Sequence, residues 1–208
     1  MEIKCILFDL GGVLVELKEE EALMEMCPGL ANPEAVREAW FASAAVRAFE
    51  TGKIGFAGFC EQAIGDLGVE VDEAAFREAH SRFLGNPFPG AINLLRVLKN
   101  NYKIACLSNT NPVHIDALRE RTDILDLLDQ CFLSYQTGLV KPDRAAFADV
   151  VETMGLRPPE CLFLDDRLKN VRAARALGMQ AEKVVGIHQV QELLLSAGLL
   201  RQSEYRNL

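Results

Sequence analysis

The sequence predicts an α/β protein: a three-layer α/β/α core around a parallel sheet, with a helical domain inserted near its start. Three observations carry this. After Pro87-Phe88-Pro89-Gly90 the chain alternates short apolar runs with helical periods. Over residues 16–85 every segment has the helical period and no strand candidate competes. The apolar run at residues 3–8 stands ahead of that block, and a lone strand cannot bury both its faces, so it must join the later sheet. The helical block is then an insertion, which divides the chain into a core at 1–15 and 87–208 and a helical cap domain at 16–86.

Each element has a local reason. Residues 3–8 are stopped by Asp9-Leu10-Gly11-Gly12, a strand ending in a tight turn. In the insertion, Asn32-Pro33 reads as an N-cap followed by proline in the first helical position. Phe56, Phe59, Ala63, Ile64 and Leu67 keep the helical period, and Asp72 caps a helix carrying Phe76, Ala79 and Phe83. Beyond Gly90, helices are expected at 91–99, 113–120, 144–154, 168–177 and 190–195, and strands at 103–107, 131–134, 161–164 and 182–185.

Composition limits the function classes. A chain of 208 residues corresponds to one or two domains at ~150 residues each. Half of it is hydrophobic and a quarter charged, which excludes a disordered polypeptide. The net charge of −8 repels a polyanion, so no nucleic-acid partner is expected and any anionic ligand must be small. Residues 5–15 are too short and too broken for a membrane span or a secretory signal, so a cytoplasmic protein with no membrane partner is expected. The six cysteines include no C-x-x-C pair, and neither disulfides nor a metal are assigned to them.

In parallel sheets, ligands bind beyond the carboxyl ends of the strands. The polar groups there are Asp9, Ser108-Asn109, Lys141 and Asp165-Asp166. Singly, each has an ordinary reading: a turn opener, a helix cap, a solvated cation, a helix N-terminal acid. Together they place three carboxylates, an ammonium and a hydroxyl on one edge, and carboxylates crowd poorly without a cation. Oxygen ligands without a histidine or cysteine cluster point to Mg²⁺ rather than zinc.

The stretches Phe8-Asp9-Leu10-Gly11-Gly12-Val13-Leu14, Leu107-Ser108-Asn109-Thr110-Asn111, Gly138-Leu139-Val140-Lys141-Pro142-Asp143 and Phe163-Leu164-Asp165-Asp166 resemble the four ordered motifs of the haloacid dehalogenase (HAD) superfamily. Leu-Ser-Asn-Thr-Asn followed by His114, and the Asp-Asp pair leading through Asn170 to Gly178-Met179, are most similar to its α-D-glucose 1-phosphate phosphatase-like branch and to the phosphatase domain of soluble epoxide hydrolases. The resemblance implies a Rossmann-like core with a cap, and a Mg²⁺-dependent phosphatase acting on small phosphorylated metabolites such as sugar 1-phosphates. Asp9 would be the nucleophile, forming an aspartyl-phosphate. Asp9, the Gly11 carbonyl and Asp166 would hold the metal, with Asp165 supporting them. Ser108 and the backbone N–H of Asn109 would bind phosphate, and Lys141 would bridge phosphate and Asp9.

One position departs from the superfamily pattern. Two residues after the nucleophile, most of its phosphatases carry a second aspartate that protonates the leaving oxygen; here it is Gly11. General acid–base help is worth ~10²–10⁴-fold. Either the substrate leaves easily or another group supplies the proton; His114 is the candidate, against an ordinary surface histidine on the helix after the second strand. His80 and His188 read as structural. Arg37, Trp40, Phe41 and Arg47 fall on one helical segment of the lid and either contact substrate or pack there. Phe49-Glu50-Thr51-Gly52-Lys53-Ile54 also resembles the family's lid. Two other functions remain: a metal-free 2-haloacid dehalogenase, and, because of Gly11, a non-catalytic module that binds a phosphorylated metabolite.

Overall fold

The structure is a computed structural model that describes residues 2–26, 32–67 and 72–205; Cys27 lies outside them. Its strands are β1 (Cys5–Phe8), β2 (Val15–Leu17), β3 (Leu84–Pro87), β4 (Lys103–Ser108), β5 (Gln130–Leu133), β6 (Cys161–Asp165) and β7 (Gln180–Lys183). Five of them form a sheet in the order β5-β4-β1-β6-β7, parallel throughout. The first strand is therefore central, as the need to bury both its faces requires.

Side chains along these strands alternate between two apolar layers. Ile6, Phe8, Ile104, Cys106, Leu162 and Leu164 enter one, together with helix α6 (Ala91–Leu98), helix α7 (Pro112–Arg119) and helix α11 (Gly186–Ser196). Cys5, Leu7, Ala105, Leu107, Cys161 and Phe163 enter the other, against helix α9 (Arg144–Met154) and helix α10 (Leu168–Leu177). Phe147 meets Phe163 edge to face at 5.4 Å. This is the α/β/α core. The short helix α8 (Ser134–Thr137) follows β5, and α12 (Gln202–Tyr205) closes the described chain. The five cysteines among the described residues are free thiols. No helix of the described residues is long and apolar enough to cross a membrane.

Between β2 and β3 lie α1 (Glu19–Met26), α2 (Pro33–Ala42), α3 (Ala44–Glu50), α4 (Phe56–Leu67) and α5 (Glu73–Ser81). They share an apolar cluster of their own, in which Phe49 stacks on Phe59 at 4.5 Å and Trp40 meets Phe59 edge-on at 5.7 Å. Asp72 caps α5 by accepting the Ala75 N–H at 2.9 Å, and Asn32 accepts the Glu34 N–H at the start of α2.

Three sequence expectations need correction. The insertion is not wholly helical at its ends: β2 and β3 pair antiparallel, Val15 with Pro87 and Leu17 with Leu84, tying its two connections together. The last strand lies at Gln180–Lys183 rather than 182–185; as an edge strand with only Ala181 buried, it lacks the apolar run that marks the others. Arg37 and Arg47 are on different helices, because Ser43 ends one and caps the next by accepting the Val46 N–H.

Candidate active site

The chain order places β4 and β5 on one side of β1, and β6 and β7 on the other. The carboxyl ends of β1, β4 and β6 thus meet at a switch point, where a crevice must open. A cavity of about 200 Å³ lies there. Asp9, Ser108, Asn109, Lys141 and Asp166 line its floor, with Gly11 and His114 at its sides. Asp165 lies just beneath.

Lys141 organises the floor. Its ammonium lies 2.9 Å from Asp9 Oδ1 and 2.7 Å from Asp165 Oδ2, and its side chain is 2% exposed. The loop that delivers it is gripped by Asn109, whose Oδ1 accepts the Lys141 N–H at 2.8 Å and whose Nδ2 donates to the Lys141 carbonyl at 2.9 Å. The adjoining loop is fixed by Ser134, which accepts the Thr110 N–H and donates to the Thr110 carbonyl. The Asn109 side chain is therefore committed to holding Lys141. Asn111, three residues past Ser108, is the N-cap of α7, so Ser108 is not a helix cap.

The three carboxylates differ in their freedom. Asp165 Oδ1 accepts the Arg167 N–H at 2.8 Å, and Asn170 Nδ2 donates to both Asp165 oxygens at 3.0 Å. With Lys141 added, Asp165 is saturated. Asp9 Oδ1 accepts the Leu10 N–H at 2.7 Å and the Lys141 ammonium; no described group bonds to its Oδ2. Asp166 has no side-chain hydrogen bond among the described residues. Its carboxyl presses on Gly12, where a Cβ would come within 3.1 Å of Asp166 Oδ2 and where φ is +77°. Only glycine satisfies both conditions.

One oxygen or more from each of Asp9, Asp165 and Asp166 lies within 4.8 Å of the others. Burial, with Asp165 and Asp166 adding to it, raises the Asp9 carboxyl to about 7 although Lys141 opposes the shift. Burial also raises Asp166, again with help from Asp165. Desolvation disfavours the Lys141 ammonium, but Asp9 and Asp165 outweigh it and hold the proton more tightly. Three acids around one ammonium leave an excess of negative charge, and their all-oxygen donor set suits a hard divalent cation.

His114 is not a surface residue. It is 6% exposed, stacked on Phe83 at 5.1 Å and next to His80 at 4.3 Å, with Asn111 Nδ2 within 3.1–3.2 Å of both rings. Burial lowers its pKa to about 3, so it stands as a neutral imidazole with no proton to release near neutrality. The proton-donor role expected of it is not supported. At Gly11 a Cβ would meet Leu17 Cδ1 at 3.0 Å and Leu84 Cδ2 at 3.2 Å: the β2–β3 pair fills the space where a side chain would stand.

Of the roof, the sequence offered Trp40, Phe41 and Arg47, which line the cavity, and Arg37, which does not; it missed Glu19, Glu50, Arg167 and Lys169. Glu19, Trp40, Phe41, Arg47 and Glu50 face the floor from the inserted helices, and Arg167 and Lys169 rise at the rim. Trp40 is 2% exposed and serves mainly the cluster of the insertion, whereas Phe41 is exposed with the Arg167 guanidinium 4.5 Å from its ring centre. Glu19 accepts from Arg37 at 2.6 Å and from Arg167 at 3.0 Å, tying α1 and α2 to the core. Arg167 follows the Asp-Asp pair directly, and Glu50 lies in the Phe49–Ile54 stretch, so both were in view without a signal for their role.

Known proteins resemble this chain in sequence and fold. A D-ribitol-5-phosphate phosphatase of Bacteroides thetaiotaomicron is 28% identical over 186 residues, spanning 86% of this chain and 90% of that one. An (S)-2-haloacid dehalogenase of Xanthobacter autotrophicus is 28% identical over 199 residues, spanning 90% and 77%. A HAD family enzyme of B. thetaiotaomicron, crystallised with magnesium and inorganic phosphate, superposes with a TM-score of 0.75 at 27% identity, covering 87% of this chain and 93% of that one. The family profile for haloacid dehalogenase-like hydrolases matches residues 3–178, and the chain belongs to that family.

Proposed function

We propose that the protein is a Mg²⁺-dependent phosphomonoesterase of small phosphorylated metabolites, with residues 16–86 acting as a cap over a core of 1–15 and 87–208. The observation that carries this is Lys141 buried between Asp9 and Asp165 with Asp166 alongside, at the floor of a cavity sized for a small ester. The phosphatase relatives support the reaction class, and the magnesium and phosphate in a similar structure support the cofactor.

Asp9 Oδ2 is the nucleophile, since Oδ1 is held by Lys141 and the Leu10 N–H. That grip fixes the carboxylate rotamer, so the attacking oxygen is presented without a search. Ser108 and Lys141 bind the phosphoryl oxygens, Ser108 through its hydroxyl and Lys141 through its charge. Asn109 sets the position of Lys141, and Asn170 that of Asp165. Asp9, Asp166 and the Gly11 carbonyl would hold Mg²⁺, with saturated Asp165 behind them rather than as a direct ligand. Bound there, the ion supplies positive charge that lets an anionic nucleophile meet an anionic ester. Attack forms an Asp9–phosphoryl ester, and water then releases phosphate.

The test is hydrolysis of p-nitrophenyl phosphate by the purified protein. Turnover should require Mg²⁺, stop with EDTA and vanish in Asp9→Asn. Chloride release from 2-chloropropionate that persists in EDTA would overturn the proposal in favour of a dehalogenase. Binding of phosphate esters without turnover would overturn it in favour of a non-catalytic module.

A further inference from the structure

Proton delivery is the step that the floor leaves open. In an in-line displacement the leaving oxygen departs opposite the attacking one. Asp9 attacks from the floor, so the ester oxygen points at the roof. Gly11 offers no proton and its side-chain space is filled by Leu17 and Leu84; His114 is neutral.

We propose that Glu50, at the carboxyl end of α3, is the general acid that protonates the leaving oxygen and then the base that activates water. The assignment rests on the phosphatase reading above. Glu50 lines the same cavity as Asp9 from the opposite, inserted side. Its carboxyl makes no hydrogen bond among the described residues, so its proton is not committed elsewhere. Its place is fixed by the turn that follows. Thr51 donates its hydroxyl to the Arg47 carbonyl at 2.7 Å, and Gly52, at φ +69°, donates its N–H to the Phe49 carbonyl. A Cβ on Gly52 would come within 2.3 Å of the Tyr135 carbonyl oxygen, so this turn sits directly against the core. The lid cannot move away without carrying Glu50 with it.

The charged groups facing Glu50 are Arg47 on its own helix, Glu19 from α1, and Arg167 and Lys169 from the core. Burial dominates them and raises the carboxyl to about 7, where it is half protonated at neutral pH. The steps balance. The Asp9 Oδ2–P bond forms as the P–O ester bond breaks, and the leaving oxygen takes the Glu50 proton. The Glu50 carboxylate then removes a proton from water as it attacks phosphorus; the P–O bond to Asp9 breaks, returning the Asp9 carboxylate, phosphate and protonated Glu50.

The experiment compares Glu50→Gln, Glu50→Asp and wild type on p-nitrophenyl phosphate, whose leaving group departs without a proton, and on alkyl esters: ribitol 5-phosphate, glucose 6-phosphate and 2-phosphoglycolate. Glu50→Gln should lose ~10²–10⁴-fold in kcat on the alkyl esters and less than about tenfold on the aryl ester. Glu50→Asp should recover part of the loss, and the wild-type kcat should fall on the alkaline side as Glu50 loses its proton, a limb that should flatten in Glu50→Gln. Equal losses on both ester classes, a raised KM with unchanged kcat, unaltered turnover, or a wild type active on the aryl ester and on no alkyl ester would overturn the assignment. Asp9→Asn is the separate control: its activity on either ester would sink the phosphatase reading itself, whatever Glu50 does.

Discussion

The floor and the roof of the cavity are held by different forces. On the floor the charges other than Asp166 are fixed by short contacts: Asp165 by Lys141, Asn170 and the Arg167 N–H, Asp9 by Lys141 and the Leu10 N–H, Lys141 by its two carboxylates and by Asn109 through its main chain. On the roof, position comes from packed rings, and the charged residues reach the core through solvated pairs such as Arg47–Asp143, both more than half exposed. Shifting the floor parts buried Lys141 from two carboxylates; shifting the roof parts one buried carboxylate, Glu19, from Arg167 and opens the solvated Arg47–Asp143 pair. On the reading proposed above, the floor therefore supplies the nucleophile and the phosphate-binding groups, and the roof supplies the proton.

Breaking the floor should cost most. Lys141→Ala leaves Asp9 and Asp165 adjacent, buried and unpaired, and denaturant unfolding should show a loss of ~3–5 kcal/mol. A loss under 1 kcal/mol would place the floor on the same footing as the roof. Cation binding comes next: at a Mg²⁺ concentration ~100 times its dissociation constant, binding to the folded form alone adds about 2.7 kcal/mol. Asp166→Asn should remove most of that thermal shift.

Acidity sharpens the contrast further. Burial raises Asp9 from 3.8 to about 7, so the protonated form favours the fold below about pH 4 and that advantage fades as pH rises through 7. Without metal, Asp9→Asn, permanently neutral, should gain on wild type as pH climbs from 4 to 8 in thermal unfolding. A gap that stays constant over this range contradicts the buried-charge account. The smallest effect belongs to the roof. Removing the Arg47–Asp143 pair should show a coupling of only ~0.2–1 kcal/mol in a double-mutant cycle. A much larger value would mean that the roof is locked down rather than resting.

The same contrast explains what could be read before the structure. Asp9, Ser108, Lys141, Asp165 and Asp166 converge because each follows an apolar strand or its loop, and parallel strands in register bring their ends to one edge. Such a site is written in the order of the motifs. The roof is not, because helix packing depends on how rings from distant helices interlock. Ser43, the N-cap that separates α2 from α3, went unread, and nothing in the sequence said that Phe41 would turn out over Arg167 while Trp40 turned in. The β2–β3 pair escaped notice for another reason. Gly85 and Pro87 have low strand propensity, and pairing across the whole insertion outweighs it. His114 lines the cavity as its place after Ser108-Asn109 implied, but its burial was not legible, because the residues that cover it, His80 and Phe83, come from the insertion.

The most direct measurement is to trap the phosphoryl enzyme. Wild type turning over p-nitrophenyl phosphate in Mg²⁺ is quenched in acid, digested, and its peptides weighed for a bound phosphoryl group. The label should sit on the peptide containing Asp9, and Asp9→Asn should carry none. Label on another residue, or rapid turnover with no phosphoryl peptide under fast quench, would contradict nucleophilic attack by Asp9.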